Sequence, residues 1–85
     1  MSFNSINQIY RLRPGHKGYW EYYPADRFGK LDALRVDEND VFIVIEKAIV
    51  VSIYDKKPEE FIVLSKHGLK RIEKGLLAEC EMTWL

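Results

Sequence analysis

Eighty-five residues allow one small domain, and its equal numbers of basic and acidic side chains, 13 of each, give no net attraction to nucleic acid or to an anionic membrane. Hydrophobic residues make up 47% of the chain and charged residues 31%, which is typical of a folded domain and excludes a disordered one. The single cysteine excludes an internal disulfide and a zinc site built from several cysteines.

The first part of the chain predicts three short strands. Residues 1–5 are mostly polar and are expected to be loosely held. Residues 6–13 alternate between apolar and charged side chains, and the aromatic segment 18–23 ends at Pro24, so each predicts a strand. Residues 31–36 alternate less regularly, and we expect a third strand there that pairs back onto the second.

The middle of the chain predicts a β-hairpin. Residues 41–54 and 61–64 are rich in β-branched and aromatic side chains, which favour strands, and a polar connection at 55–59 joins them. The first run is longer than a usual straight strand, so we expect a bend or β-bulge near residues 46–48.

The last part predicts a tight turn at 65–68, whose glycine adopts a positive φ, and a short strand at 69–72. One turn of 3₁₀ or short helix is expected near 73–77, followed by a final strand over 77–84. Apolar spacing leaves a helix over 69–81 as the alternative. The side of the final strand that is expected to be buried consists of Ala78, Cys80, Met82 and Trp84.

These elements together resemble a known family. A first strand that ends in Arg-Pro-Gly precedes a long aromatic loop, the central hairpin, a Lys-His-Gly turn, a single Gly-containing turn and a last strand. Over residues ~6 to 84 this order resembles the small SH3-like barrels that tailed phages and bacteria encode as stand-alone proteins. The resemblance implies an all-β, single-domain antiparallel barrel over residues 1–85. It also implies a ligand surface on Tyr19–Phe28, facing the loops at 37–40 or 55–59, although the long central strand departs from the family pattern.

No catalytic pattern is present in the sequence. His16 and His67 are the only histidines, and the glycine-rich motifs of nucleotide-binding and hydrolase folds are absent. Cys80 is expected to fill the core. The sequence therefore predicts a protein that is not an enzyme and has no cofactor and no metal, with a site formed by both histidines and a carboxylate left open as the alternative.

Aromatic side chains give the strongest indication of function. Seven of the eleven Phe, Trp and Tyr residues lie within the first 28 positions, and Tyr, Trp and Arg dominate protein–protein hot spots. Alternation along 18–23 leaves one same-face pair at least partly exposed, either Tyr19 with Tyr23 or Trp20 with Tyr22. The predicted protein-binding residues are Tyr19, Trp20, Tyr22, Tyr23 and Arg27.

Two alternatives to a protein partner remain. The aromatics could pack against the central hairpin, or they could stack on single-stranded nucleic acid, since bases stack on aromatic rings beside basic residues. The predicted nucleic-acid contacts are Arg11, Arg13, Lys17 and Lys30.

The predicted setting of the protein is cytoplasmic. No apolar run approaches the ~20 residues of a membrane span and no secretory leader is present. Self-association through sheet edges, or through the apolar run 48–54, is a third way in which the chain could interact. We therefore expect a phage or bacterial accessory protein that works by binding, with another protein as its partner.

Overall fold

A computed structural model describes residues 6–26, 31–48 and 59–83. The described residues are mostly β, as predicted, with one 3₁₀ helix over Lys74–Glu79. The strands are β1 Ile9–Leu12, β2 Glu21–Pro24, β3 Leu34–Arg35, β4 Val41–Lys47, β5 Glu60–Ser65, β6 Gly68–Glu73 and β7 Cys80–Met82.

The strands form one antiparallel sheet that curls into a half-barrel. Its strand order is β3-β2-β6-β5-β4-β1-β7, so β3 and β7 are the edges. The predicted pairing of the third strand with the second is confirmed, because Glu21 lies opposite Arg35 and Tyr22 opposite Leu34. The elements follow the predicted order, and membership of the SH3-like family stays a prediction.

The core fills the inner side of the curled sheet. Tyr10 and Leu12 point inward from β1, as the predicted alternation requires, and Phe42 and Val44 do the same from β4. These residues belong to a single cluster of buried side chains. The cluster consists of Tyr10, Leu12, Tyr22, Val36, Phe42, Val44, Phe61, Val63, Ile72 and Leu76.

The predicted bulge of the central hairpin occurs in β4. The register between β4 and β5 shifts between Val44 and Glu46, at the beginning of the predicted segment 46–48. An extra residue at this point lets the strand bend. Most of the predicted connection 55–59, and the apolar run beyond Ala48, lie outside the described residues.

The turn between β5 and β6 is confirmed at 65–68. Gly68 has a φ of 88°, which glycine adopts without a steric penalty. The hydroxyl of Ser65 donates a hydrogen bond to the Gly68 carbonyl at 3.0 Å and accepts one from the His67 amide at 3.1 Å. These bonds close the hairpin and fix the pairing of its two strands.

At the C-terminal end, the predicted strand at 69–72 and the 3₁₀ turn near 73–77 are confirmed, whereas the predicted beginning of the last strand and most of its buried side are wrong. The 3₁₀ helix extends to Glu79, so β7 has only three residues, and β6 occupies 68–73, so no helix covers 69–81. The predicted buried side is wrong for Ala78, which is exposed, and for Met82, which is 64% exposed, whereas Cys80 packs against the core as predicted. The 3₁₀ helix has three residues per turn, and it changes the phase that a continuous strand would have kept. Trp84 lies outside the described residues.

Across 6–26, 31–48 and 59–83, the only helix is far too short and insufficiently apolar to cross a bilayer.

Candidate protein-binding surface

Tyr22, one of the predicted binding residues, belongs to the core. Its side chain is fully buried, its ring lies edge-on to Phe42 with centroids 6.3 Å apart, and its hydroxyl donates a hydrogen bond to Asp40 Oδ2 at 3.3 Å. Burial, followed by the negative charge of Asp40, raises the pKa of Tyr22 well above its ordinary value. Tyr22 is therefore part of the core.

Asp40 accepts the hydrogen bond of the buried Tyr22 hydroxyl, which would be energetically unfavourable if it were unpaired. Its carboxylate is 8% exposed, accepts a hydrogen bond from the Asp37 amide at 3.0 Å, and pairs with Lys66 Nζ at 3.0 Å. The same carboxylate thus connects β2, the turn before β4 and the β5–β6 turn. Buried polar groups are stable only when they are paired in this way.

Tyr23 is also buried, although its side chain points to the outer face of the sheet. It is 6% exposed, the Arg71 guanidinium lies 5.7 Å from its ring centre, and its hydroxyl donates to Glu73 Oε1 at 3.1 Å. Burial and then the charge of Glu73 raise the pKa of Tyr23 to about 12. Arg71 in turn pairs with Glu60 at 2.7 Å, so charged side chains of the same chain cover Tyr23.

Trp20 is partly buried and anchors the long loop between β1 and β2. Its indole packs against the core, and its Nε1 donates to the Lys17 carbonyl at 3.3 Å. The ring also lies directly over the 3₁₀ helix, where a Cβ on Gly75 would come within 2.9 Å of Trp20 Cη2. Glycine at position 75 is therefore what lets Trp20 close this end of the half-barrel.

Tyr19 is the one residue of the aromatic run that is mainly exposed, at 63%. The Arg35 guanidinium lies 5.4 Å from its ring centre, and Arg35 Nε lies 3.9 Å from Asp37 Oδ1. We call Tyr19, Arg35 and Asp37 the Tyr19 surface. A guanidinium over an exposed ring contributes about 0.5–1 kcal/mol, so this contact favours one position of the Tyr19 side chain.

Each predicted same-face pair has one buried member, which corrects the expectation that both members of one pair are at least partly exposed. Alternation does place Tyr19 and Tyr23 on one face and Trp20 and Tyr22 on the other, but the second member of each pair is buried. Tyr22 and Tyr23 therefore lack the exposure that a direct contact with a partner requires. Arg27, the remaining predicted contact, lies outside the described residues.

Two of the residues predicted to contact nucleic acid form contacts within the chain. Arg11 forms an ion pair with Glu81 on β7, and the Arg13 guanidinium donates to the Ala78 carbonyl at 2.9 Å. Lys17 is exposed. Lys30 is in a segment that the structure does not describe.

Cys80 and the two histidines each contact other residues of the chain. Cys80 packs against the core, and burial raises the pKa of its thiol to about 12, so it is not a thiolate at neutral pH. The ring of His67 lies 5.8 Å from that of Tyr22, and His16 Nδ1 lies 3.1 Å from the Arg13 carbonyl. Within the described part of the chain, no group of three or more His, Cys, Asp or Glu side chains is arranged to hold a metal ion.

Arg35 is the functional candidate that sequence reasoning missed. The sequence did contain an indication of Arg35, because the predicted pairing of 31–36 with 18–23 brings a cation near Tyr19. The register that places Arg35 opposite Glu21, diagonal to Tyr19, appears only in the folded sheet.

No protein-family model, curated protein or solved structure matches this chain.

Proposed function

We propose that this chain is a non-enzymatic interaction module, a cytoplasmic accessory protein of a phage or bacterium, that binds another protein through the Tyr19 surface. The observation that carries the proposal is a tyrosine that is 63% exposed and yet held under an arginine 5.4 Å away. Tyrosine and arginine are the residue types enriched at binding hot spots.

The support beneath Tyr19 favours binding. Gly18 turns the chain at a φ of 89°, Trp20 next to Tyr19 is packed on the 3₁₀ helix, and the Val36 amide donates to the Trp20 carbonyl at 2.9 Å. Binding that requires less ordering loses less conformational entropy, so a preorganised ring gives more affinity per contact. Tyr19 is therefore positioned before a partner arrives.

The position of the Tyr19 surface along the chain supports the same proposal. The SH3-like resemblance implies a ligand surface where the long first loop faces the loops at 37–40 or 55–59. Tyr19 lies at the end of the first loop, and Asp37 begins the loop at 37–40.

A protein partner is favoured over single-stranded nucleic acid by the charges around Tyr19. Asp37 lies within the Tyr19 surface, and Arg11 and Arg13 are engaged in contacts within the chain. The net charge of the chain is zero. Nucleic-acid affinity depends on cations that are free to neutralise phosphates, so these residues supply little of it.

Capture from a bacterial lysate with matched variants tests the proposal. Immobilised wild type is compared with Tyr19→Ala and with Met82→Ala, whose side chain on β7 has almost the same exposure, 64% against 63%. We expect a defined protein that wild type and Met82→Ala retain after nuclease treatment and that Tyr19→Ala loses.

Two results would count against this function. Capture that disappears with nuclease assigns the chain to nucleic acid, and Lys17→Gln is then expected to weaken it and to reduce its salt dependence. Capture that survives in folded Tyr19→Ala means that the Tyr19 surface is not the binding site.

A further inference from the structure

β3 forms one edge of the sheet, and in the described part of the chain no strand lies on its other side. Leu34 lies opposite Tyr22, and the Val36 amide donates a hydrogen bond to the Trp20 carbonyl at 2.9 Å. Because the backbone groups of alternate residues face the neighbouring strand in an antiparallel pair, those of Leu34 and Val36 face β2 and those of Arg35 face away from it. The Arg35 N–H and C=O groups are therefore directed to where a further strand would pair.

The opposite edge of the sheet, β7, is less suited to such pairing. The Arg13 amide donates a hydrogen bond to the Glu79 carbonyl. By alternation from this bond, the backbone groups of Cys80 and Met82 face away from β1. The Cys80 amide, however, already donates to the Leu77 carbonyl at the end of the 3₁₀ helix. An added strand would therefore find one of the outward donors of β7 already used.

The side chains of β3 favour an added strand with apolar residues. Leu34 points to the inner side of the sheet together with Tyr22, yet Leu34 is 38% exposed while Tyr22 is fully buried. In a strand paired with Arg35, the residues before and after the pairing residue point to the inner side, next to Leu34. Apolar side chains at these positions would cover Leu34 and extend the core by one strand.

The charges beside Arg35 do not select a charged partner. The Arg35 side chain is 65% exposed, but Asp37 Oδ1 lies 3.9 Å from its Nε, and Glu21 lies directly opposite it on β2. These carboxylates offset the guanidinium, so recognition at this edge depends on backbone pairing and apolar contact. An extended segment can satisfy outward N–H and C=O groups, whereas the backbone groups of a helix are bonded within the helix.

The edge of β3 is also continuous with the Tyr19 surface, because Arg35 belongs to both. We propose that the partner of this surface is an extended segment of another protein, with apolar residues at alternate positions, that pairs with β3 as a further strand. The inference rests on the proposed function, since it names the kind of segment that the same site binds. Main-chain hydrogen bonds supply affinity in strand addition, and contacts of alternate side chains supply specificity.

A peptide selected for binding to the full chain from a library of random sequences of about 12 residues, longer than a usual strand, supplies the probe. Each amide of the peptide is N-methylated in turn, which removes one hydrogen-bond donor, and the dissociation constant is measured by calorimetry. We expect losses of about tenfold only at amides spaced two residues apart, because these face β3. This test changes no residue of the protein and so does not depend on the folding of a variant.

A matched pair of protein variants tests the same pairing from the other side. Arg35→Ala and Arg35→Pro both remove the guanidinium, but only proline also removes the outward N–H, and an edge strand tolerates proline at such a position. With equal melting temperatures of the two variants, Arg35→Pro should bind the peptide about tenfold more weakly than Arg35→Ala. Equal binding by the two folded variants would overturn the proposal.

Three results from the peptide would also overturn it. These are a library that yields no binder, an N-methyl scan without alternation, and a bound peptide whose circular dichroism is helical.

Tyr19→Ala separates the failure of this inference from that of the proposed function. A peptide that folded Tyr19→Ala loses, but that shows no alternation, supports the Tyr19 surface and contradicts strand pairing. A peptide that shows the alternation, but that folded Tyr19→Ala binds like wild type, supports strand pairing and contradicts the role of Tyr19.

Discussion

Tyr22 and Tyr19 lie three residues apart in one aromatic run, and the first is fully buried while the second is 63% exposed. The difference follows from what lies beside each residue. Tyr22 lies over Phe42 of β4 and bonds to Asp40, whereas Tyr19 precedes β2 and has Arg35 of the edge strand β3 beside it. Aromatic residue type is therefore a poor guide to exposure, and the number of neighbouring strands is a better one.

Replacing each tyrosine by alanine should give the largest difference between the two regions. We expect Tyr22→Ala to lower the free energy of unfolding by about 3–5 kcal/mol, because it leaves a cavity in the core. Tyr19→Ala should lower it by at most about 0.5 kcal/mol, as exposed substitutions usually do. Urea denaturation of both variants measures the difference, and similar losses would contradict the assignment of the two regions.

The contact between Trp20 and the 3₁₀ helix joins the two regions, and Gly75 tests it. A methyl group at this position would lie 2.9 Å from Trp20 Cη2, so Gly75→Ala should destabilise the protein by about 1–3 kcal/mol through overpacking.

Trp20→Phe removes the ring edge that the new methyl group would meet. In a double-mutant cycle, the Gly75→Ala penalty should shrink when Trp20→Phe is present. Additive effects of the two substitutions would mean that Trp20 does not pack on Gly75.

The stability of the protein at alkaline pH should depend on Tyr23, because this tyrosine is buried and has a raised pKa. Its folded-state pKa of about 12 lies above the ordinary value of 10.0, so the protonated form is favoured by folding. The stability that this contributes is complete below pH 10 and is lost as the pH rises toward 12. The free energy of unfolding, measured from pH 9 to 12, should therefore fall less steeply in Tyr23→Phe than in wild type. Parallel curves would contradict the buried hydrogen bond to Glu73.

The smallest expected effects come from removing single hydroxyl groups within the core. Tyr22→Phe deletes a hydrogen bond to Asp40 and should cost about 1 kcal/mol. The buried Tyr10 hydroxyl has no hydrogen-bond partner among the described residues, so Tyr10→Phe should be neutral or slightly stabilising. Thermal melts of the two variants should shift in different directions or by clearly different amounts, and equal destabilisation would contradict the account of Asp40.

Most of the strand pattern could be predicted from the sequence, because local alternation and turn residues determine it. The inward side of β1, the pairing of β3 with β2 and the glycine turn at 65–68 all follow from side-chain period and backbone preference. The beginning of the C-terminal strand could not be predicted correctly. Residues 77–79 belong to the 3₁₀ helix and only Cys80–Met82 form β7, with Leu76 inserted into the core and Trp20 packed over Gly75.

The candidate site was predictable only as a region of the chain. Composition indicated residues 19–23, but which of these aromatics are exposed depends on long-range partners. Tyr23 is covered by Arg71, 48 positions later in the chain, and Tyr19 is oriented by Arg35 across a two-residue strand. No local pattern contains that information, since it arises from the sheet register.

The measurement that tests the central claim most directly is a titration of the captured protein, once purified, into wild type, Tyr19→Ala and Met82→Ala at low and high salt. The account predicts that Tyr19→Ala weakens binding about tenfold or more, that Met82→Ala binds like wild type, and that salt changes the affinity little. Equal affinity of wild type and folded Tyr19→Ala would contradict the claim that Tyr19 forms the binding surface.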